Sequence, residues 1–160
     1  MIFVTVGTHT QPFDRLVQGM DELALEMGEE VMIQYGSSTY VPNHARGFQW
    51  ISGARFEQLM DESRVVVSHA GSGTIIASLL KNKPLVLVPR QQKFHEHIDD
   101  HQKQLSRIFA ERSRAAVVYD VSKESLQEAI VTAAGLDLSY RQDSRLTEAL
   151  HNQLLAWDNR

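Results

Sequence analysis

Short β-branched runs alternate with longer amphipathic segments along this chain, and that alternation leaves few architectures open. Ile2 to Val6, Val31 to Tyr35, Arg64 to Ser68, Leu85 to Val88 and Ala115 to Tyr119 each have the length and the Val/Ile content of a strand. Between the first two, Phe13, Leu16, Val17, Met20, Leu23, Ala24 and Met27 recur at intervals of three and four, so 12–27 is expected to be a helix that stops at Gly28. Strands separated by helices pair in parallel, because a parallel crossover needs the length that a helix supplies. Arg64 to Ser68 is apolar at successive positions, as expected of a strand covered on both faces. The predicted fold is therefore α/β, a Rossmann-like open parallel sheet with helices on both faces.

The remaining elements follow from the same rules. Phe48 to Ile51 is a candidate third strand, after a polar loop over 37–46. Helices are predicted over 55–62, 72–80, 98–112 and 122–134, the last capped by Ser122, with a C-terminal helix over 143–157 and a polar loop over 89–97. No internal repeat or linker marks a boundary, and 160 residues is the size of one domain, so 1–160 is read as a single domain.

Composition excludes several classes. Sixteen Lys and Arg against twenty Asp and Glu give a net charge of −4 with no dense basic run, which argues against nucleic acid as a partner. The absence of cysteine removes disulfide scaffolds, thiolate metal sites and thiol catalysis. The opening MIFVTVGT has neither the basic start nor the apolar stretch of a signal peptide, and no apolar run approaches the roughly 20 residues of a membrane span. A cytoplasmic location is expected, with any membrane contact made through a partner.

In open α/β sheets ligands bind outside the carboxyl ends of the strands, and three loops there carry unusual chemistry. Gly7-Thr8-His9-Thr10-Gln11 follows the first strand; it offers hydroxyls and an imidazole to an anion, or simply caps a helix through Thr10. His69-Ala70-Gly71-Ser72-Gly73-Thr74 follows the central strand and opens a helix, so its backbone N–H groups, helix dipole and hydroxyls suit a phosphate. The glycine pair also has a plain packing explanation. No GxxxxGK[ST] is present, and Pro89-Arg90 stands where a dinucleotide fold would place a ribose-binding acid, so P-loop and NAD readings fail.

The third loop runs from Arg90 to Gln102. His95, His97, Asp99 and His101 are similar to the HxHxDH metal string of metallo-β-lactamase-like hydrolases, but one extra residue precedes the last histidine. One residue turns a helical side chain by about 100°, which breaks convergence on a metal. A metal-dependent hydrolase is thus the alternative reading, beside sugar recognition and beside a solvated helix start in which Asp99 and Asp100 suit the dipole. The chain has no GxSxG elbow and no Asp-x-Asp metal-bridging pair, which favours a phosphate site without a metal.

Taken in order, VTVGTHTQPFDRLV, SHAGSGTIIASLLKNKPLVLVPR and EHIDDHQ resemble the C-terminal, donor-binding domain of glycosyltransferase family 28 over about residues 1–120. The likeness is to free-standing members: subunits of two-component exopolysaccharide and capsule transferases, and the donor-binding subunit of the dolichol-linked N-acetylglucosaminyltransferase. The resemblance implies a domain equivalent to the C-terminal half of a GT-B enzyme, binding a UDP-sugar with no metal or other cofactor. It implies that His69, Gly71, Ser72, Gly73 and Thr74 hold the diphosphate, that Gly7, Thr8 and His9 line the cleft, that Trp50 and Ile51 meet the uracil, and that Asp100, His101 and Gln102 contact the donor sugar. The acid that many members place on the ribose is here Ala77. The implied activity is inverting transfer of a hexose or N-acetylhexosamine to a lipid-linked acceptor in exopolysaccharide or capsule synthesis. The general base would come from a membrane-associated acceptor-binding subunit that recruits this chain to the inner face of the membrane. Leu146, Ala149, Leu150, Leu154 and Trp157 form a candidate docking stripe for that partner, or for the chain's own sheet. A non-catalytic nucleotide-sugar-binding regulatory subunit is a further alternative, and self-association in isolation is compatible with an exposed partner surface.

Overall fold

The computed structural model describes residues 1–98 and 101–138. Six strands, β1 (Ile2–Thr5), β2 (Val31–Gln34), β3 (Arg46–Phe48), β4 (Val65–Ser68), β5 (Leu85–Leu87) and β6 (Ala116–Val117), form one sheet in the order β3-β2-β1-β4-β5-β6. All neighbours are parallel, with Thr5 level with Gln34 on one side and with Ser68 on the other. This is the doubly wound strand order, and its direction reverses between β1 and β4.

The helices α1 (Asp14–Ala24), α2 (Gly53–Glu62), α3 (Ser72–Leu80), α4 (His101–Glu111) and α5 (Lys123–Ala134) cover both faces. Right-handed crossovers dictate which face each one takes. The chain moves one way from β1 to β2 and the other way from β3 onward, so α1 lands opposite α2, α3 and α4. On one face Leu16, Val17, Met20, Leu126 and Ile130 pack on Ile2, Val4, Val67 and Val86. On the other, Leu59, Met60, Ile75, Leu105 and Phe109 pack on Phe3, Val66, Leu85 and Leu87. Successive strand residues feed alternate cores, which is why β1, β4 and β5 are buried at every position.

The differences from expectation lie at the sheet edges and helix ends. The third strand lies at Arg46–Phe48, two residues before the expected Phe48 to Ile51, because its register is fixed by pairing Met32 with Arg46 and Gln34 with Phe48. An edge strand with exposed Arg46 and Gly47 carries little apolar signal. The last strand contracts to Ala116–Val117 at the opposite edge, and the polar loop over 89–97 contains a 3-10 turn at Gln92–Phe94. The helix α1 starts at Asp14, not Pro12, after Phe13 has turned its N–H onto the Ser38 hydroxyl at 3.1 Å. The C-terminal helix expected over 143–157 lies outside the described residues. No helix among the described residues is long and apolar enough to cross a membrane.

No helix intervenes between β2 and β3, and two carboxylates of α1 organise that connection instead. Asp21 is fully buried and accepts bonds from the Tyr40 hydroxyl (2.8 Å) and from the N–H groups of Asn43 (2.9 Å), His44 (2.9 Å) and Ala45 (2.7 Å). Two turns earlier, Asp14 accepts from the N–H groups of Thr39 (2.7 Å) and Tyr40 (3.0 Å). Burial alone would raise the Asp21 pKa, but these donors favour the carboxylate and hold it below its usual value.

Candidate functional site

At the carboxyl edge of the sheet, β1 and β4 end in Thr5 and Ser68, and the chain then enters the two glycine-containing loops. The loops meet at the His69 imidazole. A methyl group on Gly7 would stand 2.4 Å from His69 Cε1, and one on Gly71 would stand 2.2 Å from Nε2. Gly7 also has φ +75°, a conformation that L side chains rarely adopt. Both glycines are therefore explained by the imidazole wedged between them.

Gly73 is different, since nothing lies within 4 Å of where its methyl would be. Gly71 caps α3 with extended backbone and no side-chain acceptor, whereas Ser52 caps α2 by accepting from Arg55 N–H at 3.2 Å and Ser122 caps α5 from Ser125 N–H at 3.1 Å. Helix N-termini carry N–H groups without intrahelical partners and a positive dipole end. At α3 that end meets no capping side chain, lies beside the strand-order reversal and has an open approach over Gly73. By ordinary electrostatics such an end suits an anion. Ser72 is partly buried, and Thr74 is buried in the first turn.

Burial pushes the His69 pKa down to about 4; the charge of Arg90 pushes the same way, and the Thr5 carbonyl works against both. The ring is neutral at neutral pH. His9 is partly buried, and its Nδ1 accepts the Gln11 N–H at 3.2 Å, which leaves the ring proton on Nε2 in the neutral form. Its pKa is lowered by burial first, then by Arg90 and His97. The His9 and His97 rings lie 5.0 Å apart, so the first and third loops also meet. Thr8 is exposed beside them.

Gln102, in the first turn of α4, accepts the Arg90 backbone N–H on Oε1 at 3.0 Å. That donor fixes the orientation of the amide and turns its NH2 group away from the backbone. His101 begins α4 and is partly buried. Asp100 lies outside the described residues. Trp50, 51% exposed, and Ile51, partly buried against the α2 side core, follow β3. Their loop is tied to the centre by Gln34, whose amide donates to the carbonyls of Gly7 (3.1 Å) and Gln49 (3.2 Å) while its oxygen accepts from Thr5 (2.7 Å). Ala77 is partly buried against the core and presents no polar group.

The string His95, His97, Asp99, His101 is dispersed. His95 is exposed with φ +58°, His97 faces His9, His101 begins a helix, and Asp99 lies outside the described residues. Among the described residues no three His, Asp or Glu side chains gather as metal ligands would.

The sequence reading passed over the residues that hold the loops in place. Arg90 is 0% exposed and donates to four backbone carbonyls, those of Val6, Gln11, Pro12 and Glu96. Glu96 is buried and bound through both oxygens by Arg15, at 2.9 Å each. Arg15 also donates to the carbonyls of Tyr119 and Pro89. Gln34 carries a signal, since it is a polar residue at the carboxyl end of an otherwise apolar strand, whereas Arg90 lies in the loop beyond β5.

Comparisons with known proteins bear on the family of the chain. The family description "Glycosyltransferase family 28 C-terminal domain" matches residues 1–156. The UDP-N-acetylglucosamine transferase subunit ALG13 of Debaryomyces hansenii is 30% identical over 95 residues, 58% of this chain and 44% of that protein. The Mus musculus protein of the same name is 32% identical over 114 residues, 64% of this chain but 10% of its own length. This chain therefore spans less than half the length of these curated relatives. The solution structure of ALG13 superposes with a TM-score of 0.61 at 22% identity, covering 93% of this chain and 94% of that one. The structural neighbours are GT-B glycosyltransferases, of which this fold is one half. With the family matched over nearly all of its length and the doubly wound sheet to match, the chain belongs to the glycosyltransferase family 28 C-terminal domain family.

Proposed function

We propose that this chain is the donor-binding subunit of a two-component inverting glycosyltransferase. It binds a UDP-sugar and serves transfer of a hexose or N-acetylhexosamine to a lipid-linked acceptor in exopolysaccharide or capsule synthesis. The acceptor is held by a membrane-associated partner at the inner face of the membrane. The observation that carries this reading is the N-terminus of α3, which has no capping side chain and lies at the strand-order reversal with an open approach over Gly73. A diphosphate there accepts bonds from the first-turn N–H groups and faces the positive end of the helix. On this reading Trp50, two residues beyond β3, meets the base, and Gln102 and His101, at the start of α4, meet the sugar.

In the reaction an acceptor oxygen forms a bond to the anomeric carbon as the bond from that carbon to the diphosphate breaks. The electron pair leaves with UDP, and the acceptor proton goes to a base on the partner. Fixed N–H donors aimed at the leaving oxygens stabilise the charge that develops on them, and no metal is required for that role. The family match and the similarity to transferase subunits support the class of chemistry.

Calorimetry with UDP and UDP-sugars on the wild type and on His69→Ala tests the proposal. Saturable UDP binding by the wild type, weakened by the substitution, is expected, together with sugar transfer only after the acceptor subunit is added. No UDP binding at millimolar concentration, or robust transfer by the purified chain alone, would overturn it.

A further inference from the structure

Arg90 is the largest fully buried side chain among the described residues, and its charge is not balanced by its partners. Nη2 donates to the Val6 carbonyl at 3.0 Å; Nη1 donates to those of Gln11 (2.9 Å), Pro12 (3.1 Å) and Glu96 (3.1 Å). The Phe13 ring lies 4.7 Å from the guanidinium carbon. Carbonyls and a ring face satisfy donors, but they leave the unit charge in place. The carboxylate that acts on Arg90 is Glu96, and both of its oxygens are bound by Arg15, with Gln91 N–H on one of them at 3.0 Å. Arg15 and Glu96 thus form a neutral pair, and among the described residues no further carboxylate balances Arg90 in its low-dielectric interior. The Nε–H of Arg90 has no acceptor among the described residues. Retaining such a charge is costly unless a counter-ion is brought to it.

The position of the charge says where that counter-ion arrives. Val6, bound by Nη2, precedes Gly7, which lies against the His69 ring. Gln11, bound by Nη1 through its carbonyl, donates its own N–H to His9. The backbone N–H of Arg90 holds Gln102. One buried cation therefore sits behind all three loops of the proposed donor site. Among the described residues the ionisable groups around it are Glu96, Arg15 beyond it, and the imidazoles of His9, His69 and His97.

We propose that Arg90 is the standing countercharge of the donor diphosphate, a positioning residue that attracts the phosphates through the loop wall and fixes the loops without touching the ligand. The inference rests on the donor-binding reading above. It explains how a chain of net charge −4 holds a diphosphate where the His69 imidazole is neutral. It also places a fixed positive field under the oxygens that gain charge as UDP leaves.

The test is calorimetry on the whole chain with UDP, inorganic pyrophosphate and uridine, for the wild type, Arg90→Lys and Arg90→Gln. Loss of the charge is expected to weaken UDP and pyrophosphate about tenfold or more while leaving uridine unchanged. Arg90→Lys should recover much of the difference. In the same Arg90→Gln protein the titration midpoints of His9 and His69, followed by NMR, should rise. If Arg90→Gln does not fold, the wild type decides: its Arg90 Nε–H resonance should shift with UDP and with pyrophosphate, and not with uridine. Equal loss of UDP and uridine with unchanged histidine midpoints would overturn the proposal, as would an Nε–H signal indifferent to pyrophosphate. A wild type that binds neither UDP nor pyrophosphate overturns the donor-binding reading, and this inference with it.

Discussion

At the scale of single residues, the glycines of the second loop divide into two physical kinds. Gly71 is required by a neighbour, because its missing side chain is the space that the His69 ring occupies. Gly73 has no atom of the described residues within 4 Å of where its methyl would be and sits in the first turn of α3, where alanine is the better helix former. Gly71→Ala should therefore lower the unfolding free energy by about 1–3 kcal/mol through overpacking. Gly73→Ala should hold or raise stability by up to about 1 kcal/mol and weaken UDP, since its methyl projects into the approach to the N–H groups. Thermal unfolding and calorimetry on both variants check this opposition; a Gly73→Ala protein that binds UDP as the wild type does would remove Gly73 from the site. The sequence suggests a phosphate loop at GSG, but the different surroundings of its two glycines are not legible there, because they depend on a side chain folding back between two loops.

Among the elements, α1 does more than cover the sheet. Its Asp14 and Asp21, two helical turns apart, order the connection that replaces a helix between β2 and β3. The Asp21 pKa is lowered in the folded state, so its contribution to stability is fully present above the unfolded value near 4 and is lost as pH falls through the folded one. Asp21→Asn should cost about 2 kcal/mol at neutral pH, since an amide nitrogen cannot accept, and should flatten the acid limb below about pH 4. Urea unfolding between pH 3 and 7 for both proteins measures this; parallel acid limbs would assign the acid sensitivity to other groups, such as the Glu29 that pairs with Arg64 and the N-terminus. The elements themselves were largely legible. β1, β4 and β5 are buried on both faces and so announce themselves as apolar runs, and α3 begins and ends where its pattern says. β3 was misplaced because an edge strand is set by hydrogen-bond register with β2, which leaves no trace in hydropathy.

For the whole molecule, three loops far apart in sequence meet at one end of the sheet. Arg90 donates to the Gln11 carbonyl and the His69 ring lies against Gly7, so a ligand seated there should be felt by all three. Amide hydrogen exchange with and without UDP should show slowing over 7–11, 71–74 and 90–98, with α5 and β6 unchanged. Protection confined to another surface would place the nucleotide elsewhere. The two cores follow from alternate strand residues facing opposite sides, and the face each helix takes follows from crossover handedness, so the α/β class could be read from sequence. Period-two burial, helical spacing and glycine-opened loops are local properties, and the ordered trio of motifs is a property of the sequence too. What only the tertiary structure decided is what each polar residue bonds to. Arg90 lies under all three loops, the Arg15–Glu96 pair is neutral, and His97 faces His9 instead of joining His95. Those outcomes depend on distances between segments dozens of residues apart, and no local pattern along the chain encodes them.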